Sequence, residues 1–118
     1  PIIKKVLIKN WSFVMRLMKT IRFKPKPEFM DRFLDDYNKI TEKALSKGTI
    51  DSYFTAVIED EVFYVGIFNK KENSENIVEK GLDWLENYRT MLQPYSGSSD
   101  IALVEIGPIK GESAKNTV

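Results

Sequence analysis

Between Ile50 and Asn69 lie two runs with the alternation of β-strands, and each carries apolar residues on both of its faces. In Ile50–Glu59, Ile50, Phe54, Ala56 and Ile58 fall on one side and Tyr53, Thr55 and Val57 on the other. In Val62–Asn69, Phe63, Val65 and Ile67 oppose Tyr64, Gly66 and Phe68. Successive strand residues point to opposite faces, so a strand that is apolar on both needs both covered. Helices of the same domain cover one side of such a sheet, and something else has to cover the other. The acidic Glu59-Asp60-Glu61 between the runs suits a tight hairpin, although it lacks the Gly or Asn that such turns favour.

Upstream, Phe13, Met15, Leu17, Ile21 and Phe23 share a face at period two, interrupted by Lys19. A strand is expected from Val14 to Lys24, ended by Pro25-Lys26-Pro27, where two prolines stop pairing. Residues 27–47 predict a helix. Pro27 suits its first position, acidic Glu28 and Asp31 sit near its positive end, Lys43 and Lys47 near its negative end, and Gly48 can close it in the left-handed region. Phe29, Phe33, Tyr37, Ile40, Ala44 and Leu45 make its apolar stripe. A second helix is expected from Asn73 or Ser74 to about Gln93, with Ile77, Leu82, Leu85, Tyr88 and Leu92 facing the core. A loop over 95–100 and a last strand, Ile101–Ile106, ended by Gly107-Pro108, complete the domain.

Residues 13–109 therefore form one α+β domain in the order strand, helix, strand, strand, helix, strand, the split βαβ arrangement called ferredoxin-like. Its sheet is antiparallel, with two helices on one face. A basic extension precedes it at residues 1–12, and a polar tail follows at 110–118. Over Ile2–Met18 a helical wheel also gathers Ile3, Val6, Leu7, Trp11, Val14 and Met18 on one side with Lys5, Lys9, Ser12 and Arg16 opposite, as in membrane-surface or organelle-targeting helices. An edge strand or an arm reaching a partner fits Ile2–Lys9 equally.

Residues 1–27 hold eight basic side chains and no acid, whereas the remainder carries a net charge of −7. Such an imbalance marks either a nucleic-acid or membrane arm or a solvated strand edge whose lysines discourage aggregation. No nucleic-acid motif accompanies it, so neither nucleic acid nor membrane is an expected partner. No apolar run approaches the length of a membrane span, and the opening Pro-Ile-Ile-Lys-Lys-Val-Leu lacks the uninterrupted apolar stretch of a secretory signal. Cysteine is absent, which fits a cytoplasmic setting and excludes disulfides and thiolate chemistry. Histidine is absent too, which excludes a Ser-His-Asp triad and a His-ligated haem. No glycine-rich phosphate loop or metal-ligand spacing is present, and no cofactor is expected.

Six residues are candidates for a ligand site. Tyr53 and Tyr64, on adjacent strands, project to one face if the register allows, and Arg16 or Arg22 from the first strand would add a cation for an anionic or phenolic ligand. The alternative is that both tyrosines are half-buried sheet residues with wet hydroxyls. Trp84, four residues before Tyr88, forms either a ligand wall or ordinary helix packing. Glu105, inside an apolar strand, is a base with a raised pKa if buried and a solvated side chain if not. Trp11 belongs equally to a dimer contact or a ligand contact.

The strand entering Arg22-Phe23-Lys24-Pro25, the Phe-rich first helix, and Leu82-Asp83-Trp84-Leu85 with the closing Gly107-Pro108 give the chain a likeness to a known group. Over roughly residues 13–109 it resembles the dimeric α/β-barrel superfamily, and within it the antibiotic-biosynthesis-monooxygenase-like domains. The resemblance implies a homodimer whose two sheets pack face to face, which would cover the second apolar face. It also implies a small aromatic ligand, since members include cofactor-independent monooxygenases acting on aromatic polyketides or quinols. Other members degrade haem or have no known activity, and the lack of histidine separates this chain from the haem-degrading branch. No catalytic residue carries over. A non-catalytic ligand-binding or dimeric interaction module is the alternative.

Overall fold

The structure is a computed structural model and describes residues 16–69 and 83–113. The expectations for residues 1–12, for the start of the first strand over 13–15, for the start of the second helix at Asn73 or Ser74 and for the end of the tail lie outside these residues. Within them the chain is an α+β unit with an open, antiparallel five-stranded sheet and one main helix.

The first strand, β1 (Arg16–Pro25), lies at the centre. After a single 3₁₀ turn at Pro27–Phe29, helix α1 runs from Met30 to Lys47. It ends as expected at Gly48, whose φ of 76° is accessible to glycine at no steric cost. Strand β2 (Ser52–Ile58) and strand β3 (Glu61–Asn69) then form a hairpin. Its turn is Glu59-Asp60, and Glu59 sits at φ 56°, where such turns ordinarily place glycine. Strand β3 pairs with β1 along its length, so β2 is the outer strand on that side. On the other side of β1, β5 (Leu103–Pro108) pairs with residues 17–22 and the two-residue β4 (Leu92–Gln93) pairs with Lys24 and Pro25.

Of the expected boundaries that move, two are instructive. The second helix does not continue to Gln93: 83–86 are helical, Arg89–Met91 is a 3₁₀ turn, and Leu92 is already in a strand. The end of β1 accounts for this, because the Lys26 N–H needs an acceptor and takes the Met91 carbonyl at 2.8 Å. The last strand starts later and passes through Gly107-Pro108. The Ile109 N–H reaches the Arg16 carbonyl at 2.9 Å, so the Pro108 nitrogen faces away from β1 and costs no ladder bond.

The core lies between one sheet face and α1. Phe23 and Phe33 are fully buried, with Ile21, Val62, Tyr64, Leu85, Leu92 and Val104 around them. Helix α1 contributes Phe33, Tyr37 and Thr41 at spacings of four, one stripe along the helix. The rings meet edge-on, with centroids 4.8 Å apart for Phe23–Phe33 and 5.0 Å for Phe23–Tyr37. Such pairs add roughly 0.5–1.5 kcal/mol each beyond the area they bury.

Candidate functional site

Alternation along β1 sends Leu17, Lys19, Ile21 and Phe23 to the α1 face and Arg16, Met18, Thr20, Arg22 and Lys24 to the other. Lys19 is thus the one charged side chain of β1 turned toward the helix. In the sheet it stands level with Gly66 of β3 and Ile106 of β5, and Gly66 stands level with Tyr53 of β2. The missing side chain at Gly66 has a use. Tyr64, two residues back on the same face, lies over it, and a Cβ there would stand 2.6 Å from the Tyr64 hydroxyl oxygen. Glycine therefore lets the Tyr64 ring fold down beside Lys19.

Above this part of the sheet is a cavity of about 200 Å³, walled by Lys19 and Ile21 of β1, Tyr64 of β3, Tyr37 and Thr41 of α1, and Trp84. Three of these six are aromatic. The Thr41 hydroxyl donates to the Tyr37 carbonyl at 2.8 Å and so carries its own partner. Among the described residues that line the cavity, Lys19 alone is charged. Its Nζ lies 6.0 Å from the centroid of the Tyr64 ring, the outer limit of a cation–π contact. Burial away from water lowers its ammonium from 10.5 to about 8. The same burial acts in the opposite sense on the tyrosines: Tyr64 rises to about 12, and Tyr37 is held well above its ordinary value. Near neutral pH the wall is an ammonium among neutral phenols.

The six residues singled out from the sequence divide between the two faces. Tyr53 and Tyr64 come together on the α1 face, stacked with centroids 6.2 Å apart and planes 22° from parallel, and the Tyr53 hydroxyl donates to Glu42 at 2.5 Å. Trp84 is on the same side, tilted against Tyr88 with centroids 4.4 Å apart and packed against Tyr37. Arg16 and Arg22 are on the opposite face and do not meet the tyrosines. Arg16 pairs with Asp51 at 2.9 Å and Glu112 at 2.8 Å. Arg22 makes a two-pronged bond to Glu61 at 2.9 and 3.2 Å, and the Tyr95 hydroxyl donates to the same carboxylate at 2.6 Å. Partial burial pushes the Glu61 carboxyl up, but the bonds from Arg22 and Tyr95 outweigh it and hold the group below its ordinary value. Glu105 is exposed on that opposite face, level with Thr20.

Lys19, Tyr37 and Thr41 also line the cavity and are not among the six. Lys19 did leave a signal, as the one break in an apolar face of period two. Among the described residues no three potential metal-ligating side chains gather, and no helix is long and apolar enough to cross a membrane. Compared with protein-family models, curated proteins and solved structures, the chain matches none.

Proposed function

We propose that this protein binds a small, flat aromatic molecule in the cavity between β1, β3 and α1, and that it does so as a ferredoxin-like domain paired with a second copy of itself. The cavity carries this reading. An apolar hole of about 150 Å³ accommodates benzene, so about 200 Å³ with aromatic walls suits one substituted ring. The strand order supports the ferredoxin-like arrangement: β5 and β3 flank β1, β2 lies outside β3, and all neighbours are antiparallel. Leu85 shares the α1 core, as a second helix on that face requires.

Pairing rests on the other face of the sheet. Met18, Phe54 and Ile58 are exposed there, and Phe63, Val65 and Ile67 lie between them on β3. A second sheet laid on this face would shield the whole patch. Within this reading, cofactor-independent oxygenation of a quinol-like ligand is the reaction that the resemblance to antibiotic-biosynthesis-monooxygenase-like domains implies. The non-catalytic alternative is favoured by the cavity wall itself, where a single charged group faces neutral side chains.

Ligand-observed NMR with phenol and hydroquinone tests the binding, and Ala44→Leu, which fills the cavity, should abolish it. No saturable binding to the unaltered protein would end the proposal. Oxygen uptake with a panel of quinols then separates the two versions: consumption above the protein-free rate supports the oxygenase, and binding without consumption leaves a ligand-binding module.

A further inference from the structure

Among the described residues the charge of Lys19 has no counter-charge in its surroundings. Each element packed around it is accounted for among the described residues. Helix α1 presents Tyr37, Ile40, Thr41 and Ala44 to the cavity, the turn after it presents Thr49 and Ile50, β3 presents Tyr64, and the segment at 83–86 presents Trp84; Asp51, next in that turn, is held by Arg16. Strand β5 presents Val104 and Ile106, which flank Ile21 and Lys19 in register. Glu42, the carboxylate of α1 closest to this group of tyrosines in the hydrogen-bond network, is engaged by the Tyr53 hydroxyl. The contrast with the other cations of β1 is direct, since Arg16 and Arg22 each hold carboxylates and Lys24 lies over the Tyr95 ring. Lys19 is half-buried, and an ammonium drawn partly out of water without a counter-charge is costly; proteins pair such groups or set them where a ligand supplies the partner.

We propose that Lys19 is the anion-binding group of this cavity and that the ligand is a single-ring aromatic carboxylate, its ring against Tyr37, Tyr64 and Trp84 and its carboxylate on the Lys19 ammonium. The inference rests on the reading that the cavity binds an aromatic ring, and adds the charge of the ligand to it. The cavity has room for a ring with one such substituent, given that about 150 Å³ takes the bare ring. Its wall offers one strong donor, and a charge-assisted bond to a carboxylate partly screened from water is the strongest contact that wall can make.

Protonation follows from the assignment. Free Lys19 titrates at about 8, and a bound carboxylate favours the charged form and raises it. Binding at pH 8 therefore takes up about half a proton, and above pH 8 affinity falls by about tenfold per unit. Tyr37 and Tyr64 stay neutral in this range because burial raises both.

Isothermal titration calorimetry with benzoate and its neutral relative benzyl alcohol, on the unaltered protein, Lys19→Met and Lys19→Arg, tests the proposal. At pH 7 benzoate is expected to bind the unaltered protein at least tenfold more tightly than benzyl alcohol, since a charge-assisted bond has that worth. Lys19→Met should remove the preference and leave benzyl alcohol within threefold, and Lys19→Arg should retain part of it. Titrations in two buffers of different ionisation enthalpy should show the proton uptake. Benzyl alcohol binding without benzoate binding overturns the anion assignment and leaves the aromatic cavity standing. Equal benzoate affinity in Lys19→Met, or an affinity flat between pH 7 and 9.5, also overturns it. Failure of both compounds to bind overturns the assignment together with the reading beneath it. Should Lys19→Met not fold, the pH dependence of the unaltered protein decides alone.

Discussion

The two faces of this sheet are built from the same strands and do different work. On the α1 side the side chains at the centre are large rings and branched aliphatics, and they are sealed: Phe23 and Phe33 have no exposed surface. On the other side Phe54 is 67% exposed, level with Val65 and, beyond it, Thr20, and the same face carries the paired charges of Arg22 and Glu61. The covered face tolerates a cavity and a desolvated lysine because the surrounding rings hold the layers together. On the open face the arginines are paired with carboxylates, and its apolar surface contributes to stability only where something lies on it. Burial, and not the hydrophobicity of the residue, sets what each phenylalanine is worth.

The largest expected effect is on the sealed side. Phe33 touches Phe23, Tyr37, Trp84 and Tyr88, so Phe33→Ala leaves a hole among four rings. A loss of about 4 kcal/mol is expected in urea titration, enough to unfold much of a marginally stable domain. A loss below about 1 kcal/mol would mean that this layer is not the core.

Lys19 is expected to act in the other direction. Its folded pKa of about 8 lies below the unfolded 10.5, so the unfolded chain holds more protons between those values and stability rises with pH across that window. Below pH 8 the cost of the buried ammonium is fully present, roughly 3 kcal/mol from the size of the shift. At pH 9.5 about 1 kcal/mol of it remains. Lys19→Met should therefore stabilise the protein by about 3 kcal/mol at pH 7 and by much less at pH 9.5. Above pH 10 the raised tyrosines reverse the trend, because the unfolded chain then loses protons that Tyr64 keeps. Urea melts at pH 7 and 9.5 check both sign and window. A variant less stable than the original at pH 7 would show that Lys19 has a structural partner.

Gly66→Ala comes next. The added methyl meets the Tyr64 ring, which is buried between Tyr37 and Tyr53 and has little room to retreat. A loss of about 1–2 kcal/mol is expected, and the displaced ring should narrow the cavity and weaken ligand binding with it. An unchanged melting temperature would mean that the ring turns aside freely.

Much of this arrangement was legible in residue spacing. The alternation of β1, β2 and β3, the stripe of α1 and its stop at Gly48 all follow from local periods and turn chemistry. The second helix was overextended because Leu85, Tyr88 and Leu92 face inward equally well on a helix or on a turn followed by a strand. What decides between them is the Lys26 N–H on another element, which no local period records. The site was half legible for the same reason. Parity separates Lys19 from Arg16 and Arg22, but it does not say which face of β1 joins the face of β3 that bears Tyr64. Register settles that, placing Lys19 level with Gly66. A lysine on an apolar face was visible; that it walls a cavity is a tertiary fact.

The smallest expected effect on folding is at Phe54, and it bears hardest on the two faces. Phe54→Ser removes a ring as large as that of Phe33, yet in a single subunit the ring is two-thirds in water. At the lowest workable protein concentration the variant should melt with the unaltered protein, within about 0.5 kcal/mol. The proposed pairing predicts a divergence as concentration rises. Association stabilises only the folded state, so the melting temperature of the unaltered protein should climb with concentration. That of Phe54→Ser should climb less, and in sedimentation its dimer should dissociate at higher concentration. Melting temperatures that never part, with both proteins monomeric at hundreds of micromolar, would leave the open face without a second copy. A loss of several kcal/mol at high dilution would place Phe54 in a core of its own and end the contrast between the faces.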